Sequence, residues 1–110
     1  MSNLDRIQLL RQFTEEEPEN PFNWYALAIE FRESDPEEAY SLFAKLLSDH
    51  QTYLPTYFPA AHLYAEMGDI EQAKEIFENG ITLAREQKNI KAQQELQNAY
   101  QNFLFENDLD

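Results

Sequence analysis

The chain has 110 residues, enough for one small domain, and 43% of them are hydrophobic, enough to build a core. It contains no cysteine, which excludes disulfides, thiolate metal sites and a cysteine nucleophile. The formal net charge is −13, with 11 acidic and 4 basic side chains in residues 1–55 and 10 and 4 in residues 56–110, so acidity is spread evenly; such a surface repels phosphate backbones and anionic lipid, and favours basic or neutral partners.

The first residues lack the basic-then-apolar order of a secretory signal, and no apolar run approaches the ~20 residues that span a bilayer. A soluble, cytoplasmic chain is the expectation. Leu4 to Phe13 reads as the first helix, with Ile7, Leu10 and either Thr14 or Phe13 on one face. Residues 15–19 are a charged connector. Asn20-Pro21 restarts the chain as a helix, with Asn20 as N-cap and Pro21 where its missing N–H costs nothing. That helix runs to about Glu33, with Trp24, Leu27, Ala28 and Phe31 as its buried stripe. Asp35-Pro36 then opens the next one, Glu38 completing a capping box. Its apolar positions are Ala39, Leu42, Phe43, Leu46 and Leu47.

Asp49 to Leu54 reads as an open connector. Pro59 fits a helix only within the first turn, which requires a start near Tyr57 capped by Thr56; a start at Pro55 predicts a distorted first turn. Gly68 supplies a left-handed stop, and Asp69 with Gln72 a new start. Ala73, Ile76, Phe77, Gly80, Ile81 and Ala84 continue one face to about Gln87. Gly80 costs about 1 kcal/mol of helix propensity relative to alanine, which close helix–helix approach can repay. Asn89 caps the last helix, whose buried stripe is Ala92, Leu96, Ala99 and Phe103; its other faces are polar, as an end cap requires, and Phe105 to Asp110 are expected to fray.

Two stretches repeat. Trp24-x-x-Leu27-Ala28-x-x-Phe31, Asp35-Pro36 and Ala39-x-x-x-Phe43 return as Tyr57-x-x-Ala60-Ala61-x-x-Tyr64, Gly68-Asp69 and Ala73-x-x-x-Phe77. Ala39 to Ala73 and Phe43 to Phe77 are each 34 residues apart, and Trp24 to Tyr57 is 33. This beat and these residue types resemble the tetratricopeptide repeat. The resemblance implies an all-α fold, an alpha-alpha superhelix of stacked antiparallel hairpins with terminal capping helices. It divides a single domain into 1–17 (half-repeat or unrelated cap helix), 21–50 (first repeat), 55–87 (second repeat) and 89–105 (C-terminal cap). Arg6 stands where the half-repeat would have a small alanine.

Catalytic patterns are lacking. The serines have no elbow or histidine–acid setting, and two glycines cannot make a phosphate loop. His62 and Glu66 share a helix face but are too few for a metal. His50 is expected in solvent. Arg85, Lys88 and Lys91 suit a helix C-terminus. No enzyme, cofactor or metal is expected, nor any nucleic-acid or membrane partner.

The resemblance also implies which positions face inward: Tyr25 and Ile29 in the first copy, Phe58 and His62 in the second. Phe22 and Arg32 share the face of the first pair. These six suit an apolar or basic segment of a protein or peptide better than the lysine–asparagine carboxylate clamp of some family members. A non-catalytic interaction module or scaffold is the leading expectation. The alternative is a structural protein that self-associates as a homo-oligomer, and an enzyme or small-molecule binder would need a deep closed pocket.

Overall fold

The computed structural model describes residues 3–109. Among them the chain is all-α: α1 (Asn3–Glu16), α2 (Pro21–Ser34), α3 (Pro36–Asp49), a 3-10 turn (Leu54–Thr56), α4 (Tyr57–Glu66), α5 (Ile70–Glu86) and α6 (Ile90–Glu106). The helices sort into two compact units that divide between Thr56 and Tyr57.

In the first unit, Asn20 accepts the Phe22 amide at 3.0 Å and starts α2. A single residue, Asp35, separates α2 from α3 and serves both. Its amide donates to the Phe31 carbonyl at 2.9 Å, and its carboxylate accepts the Glu38 amide at 3.3 Å. The reciprocal half of the predicted capping box is therefore missing, because the amide Glu38 would need is already engaged. The Glu38 carboxylate lies 3.8 Å from Arg11 instead.

Leu27, Ala28, Ala39, Leu42, Phe43 and Leu46 are buried where α2 packs on α3. Trp24 and Phe31 are only half-buried. The Trp24 indole donates to the Pro18 carbonyl at 2.8 Å, and Lys45 stands 4.8 Å from its ring. Arg11 lies 5.3 Å from the Phe31 ring. Cations thus cover these two rings, which were expected to lie in the buried stripe. The anomalous Arg6 has a partner too: it pairs with Glu30 at 2.7 Å and ties α1 to α2. Thr14, not Phe13, is the buried end of the α1 stripe, its hydroxyl donating to the Arg11 carbonyl at 2.7 Å.

In the second unit, α4 begins at Tyr57 and Pro59 falls in its first turn, as the proline requires. Thr56 does not cap it. The residue belongs to the 3-10 turn, whereas an N-cap needs extended backbone, and its hydroxyl is buried with no partner among the described residues. Gly68 has φ +85°, and Lys88 and Asp108 adopt the same left-handed form without being glycine. After each, the next amide reaches back five residues at 2.9 Å: Asp69 to Tyr64, Asn89 to Ala84 and Leu109 to Leu104. These are Schellman stops, and the last closes α6 after Glu106, within the stretch expected to fray, of which Asp110 lies outside the described residues. Asn89 caps α6 through the Ala92 amide at 3.0 Å, whereas Asp69 makes no side-chain capping bond.

Ala60, Ala61, Ala73 and Ala84 are wholly buried among Leu63, Tyr64, Ile76 and Phe77. Gly80 is a point of close helix–helix approach. A Cβ there would lie 2.8 Å from Tyr57 Cβ and 3.3 Å from Leu96 Cδ1. Phe77, 1% exposed, packs on His62, Tyr100 and Phe103 at centroid distances of 5.8, 5.6 and 5.3 Å. The Tyr100 hydroxyl donates to Glu78 at 2.7 Å. Burial, and then that carboxylate, push the Tyr100 pKa up to about 12.

The two glycines should respond differently. Gly80→Ala gains about 1 kcal/mol of helix propensity yet should lower stability by ~1–2 kcal/mol in urea titration, because overpacking outweighs the gain. Gly68→Ala meets no atom within 4 Å, so it should lose about 1 kcal/mol to backbone strain alone, and Gly68→Asn less. Phe77→Ala should cost ~3–5 kcal/mol by the same assay, and Ala73→Leu should also destabilise. The raised Tyr100 pKa means that its contribution is complete below pH 10 and is lost as pH rises toward about 12. Denaturant midpoints across that window should fall less steeply in Tyr100→Phe than in the parent.

Candidate functional site

Phe58 and His62 lie one turn apart on α4, with ring centroids 4.6 Å apart. Both line a cavity of about 760 Å³ within the second unit. Its α4 wall is completed by Ala65 and Glu66, and Phe77 of α5 lies at its base. The opposite wall is α6, where Ala99 and Phe103 give the apolar part and Glu95, Asn98, Asn102 and Glu106 the polar part. Those four polar residues are spaced 3, 4 and 4 apart and so form one stripe of the helix. They are exposed, as is Glu66, which makes the cavity an open groove rather than a closed pocket.

The groove is electrostatically one-sided. Glu66, Glu95 and Glu106 line it, and no lysine or arginine does. Among the described residues none of these carboxylates has an ion-pair partner. Asn98 and Asn102 likewise have no side-chain hydrogen bond there, whereas Asn107 donates to the Phe103 carbonyl at 2.8 Å. His62 and Glu66 are neighbours, but no group of three ligand-type residues is arranged for a metal among the described residues.

Phe22, Tyr25, Ile29 and Arg32 all lie on α2 of the first unit. Phe22 and Arg32 are exposed, while Tyr25 and Ile29 are half-buried. Tyr25 meets Tyr53 edge-on at 5.8 Å. Burial, then the neighbouring Tyr25, raise the Tyr53 pKa. His50, expected in solvent, is half-buried beside Tyr53, where it lines a shallow hollow with Pro21 and residues 48–52.

The polar side of α6, expected as the solvated face of an end cap, is instead a wall of the groove. The stripe from Glu95 to Glu106 was the available signal, but a solvated face and a groove wall have the same composition. Only the placement of α6 against α5 separates them.

A family model of the tetratricopeptide repeat matches residues 30–96. The solution NMR structure of a tetratricopeptide repeat domain protein from Salinibacter ruber is 34% identical, with 78% of this chain and 88% of that chain covered and a TM-score of 0.73. A crystal structure of the tetratricopeptide repeat domain protein from Salinibacter ruber gives 32% identity, 76% and 96% coverage and a TM-score of 0.72. No curated protein matches the chain. Among the described residues no helix is long and apolar enough to cross a membrane. The family model spans more than half of the sequence, and the similar structures are about a third identical over the roughly three quarters of the chain that they cover, so the chain belongs to the tetratricopeptide repeat family.

Proposed function

We propose that the protein is a non-catalytic interaction module that takes an apolar-faced segment of a partner protein into the groove between α4 and α6. Repeats of this family are in general protein–protein interaction modules, and helical solenoids bind along concave faces. One observation carries the reading. Phe58 is 41% exposed and touches His62 at the edge of a cavity based on Phe77, so its exposure is continuous with an apolar floor. We assign Phe22, Tyr25, Ile29 and Arg32 the same role on α2, where Tyr25 and Ile29 hold the repeat positions of Phe58 and His62 and Phe22 and Arg32 share their face.

Self-association is favoured by a different observation. Phe105 and Ile90 of α6 are 74% and 68% exposed and do not line the groove. Two serine variants separate the readings. Phe58→Ser should weaken capture of the native partner in pull-downs at least about tenfold, the loss expected for a central aromatic, with helicity unchanged. Concentration-dependent sedimentation that Phe105→Ser abolishes would favour the homo-oligomer, and capture undiminished by Phe58→Ser would count against the groove.

A further inference from the structure

The groove has two chemically distinct sides, and together they define a partner. Phe58, His62 and Ala65 give the α4 side rings and a methyl, with Phe77 beneath. The α6 side gives two carboxylates and three carboxamides, of which Asn107 at its end is already bonded to the Phe103 carbonyl, and Glu66 adds a third carboxylate from α4. The unit's four cations, Lys74, Arg85, Lys88 and Lys91, all lie outside the lining. Every charge in the lining is therefore negative, and among the described residues none is neutralised by an ion pair.

We propose that the occupant is a basic amphipathic segment: an apolar side chain seated against Phe58, flanked by lysine or arginine that pairs with Glu95, Glu106 and Glu66. This inference rests on the groove reading above and narrows it to one partner class. The apolar side chain gains area against the aromatic wall, and the flanking cations set which segments are accepted. An acidic segment would face like charge on both rims, which raises its dissociation constant rather than merely forgoing a contact. Asn98 and Asn102, one turn apart, offer donors and acceptors to the segment's backbone between the charged ends. The pairs are solvent-exposed, so each is individually weak, and discrimination comes from three acting together.

The test uses the full chain and three synthetic peptides that share a Leu-Phe-Leu centre and carry lysine, serine or glutamate on both flanks. Amide NMR titration reports where each binds, and calorimetry how tightly. The lysine peptide should shift Ala65, Asn98 and Asn102 and bind about tenfold tighter than the serine peptide, the glutamate peptide being weakest. Added salt should narrow that spread. Glu95→Lys with Glu106→Lys should reverse the order, and Glu95→Gln with Glu106→Gln, a milder change, should flatten it. Equal binding of all three peptides at Ala65, Asn98 and Asn102 overturns the charge inference and leaves the groove standing. Shifts scattered over the acidic surface and unaffected by either double variant overturn it too. If none of the peptides perturbs those residues, the groove reading itself falls.

Discussion

The second unit depends on one contact region, the burial of Phe77 between α4 and α6. The ring is supplied by α5, met from one side by His62 and from the other by Tyr100 and Phe103. Three helices cannot converge on one aromatic unless their backbones also come close nearby, and Gly80, one turn along α5, lets Tyr57 and Leu96 do so. The bulky ring and the missing side chain are complementary halves of one arrangement. The groove follows from it: with Phe77 as base, α4 and α6 must present walls on either side.

The two related hairpins meet the same packing problem in different ways. In α4 and α5 the large positions Tyr57, Tyr64 and Phe77 are buried. In α2 and α3 only Phe43 is, while Trp24 and Phe31 sit half-open beneath Lys45 and Arg11. Lys45 also pairs with Asp49 at 3.1 Å and holds that carboxyl below its ordinary range, so one ammonium serves a ring and a carboxylate. In a chain with so few cations, three of the first unit's four cover or clasp its own helices: Arg6, Arg11 and Lys45. The surplus of acid is left to the outer surfaces, including the rims of the groove.

Much of this was legible in the residues because helical repeats are written in side-chain size. Alanines at 28, 39, 61 and 73 mark close approach, and each is wholly buried. Turn chemistry was equally plain at Asn20, Asp35, Gly68 and Asn89. Part of what escaped depends on a partner distant in sequence. Arg6 looked wrong for its position until Glu30 stood opposite it. Lys88 and Asp108 adopt a backbone that sequence rules reserve for glycine or asparagine, because the hydrogen bonds of the stop outweigh the cost of a side chain there. Of the six residues singled out on the inner face, Phe58 and His62 line the groove, but its α6 wall lay in residues that composition alone marks as solvent-facing.

The double duty of Asp35 limits how this hairpin can vary. With one residue ending α2 and beginning α3, the junction contains no slack. The second hairpin, whose matching turn is one residue longer, places a left-handed Gly68 in it and still buries Ala73 and Phe77, so an added residue at Asp35 would need a helix stop of its own. Length changes are absorbed with less rebuilding after Asp49, where a turn and a short 3-10 segment already interrupt the helices. Among natural variants, gaps should be commoner there than at the Ser34–Pro36 junction.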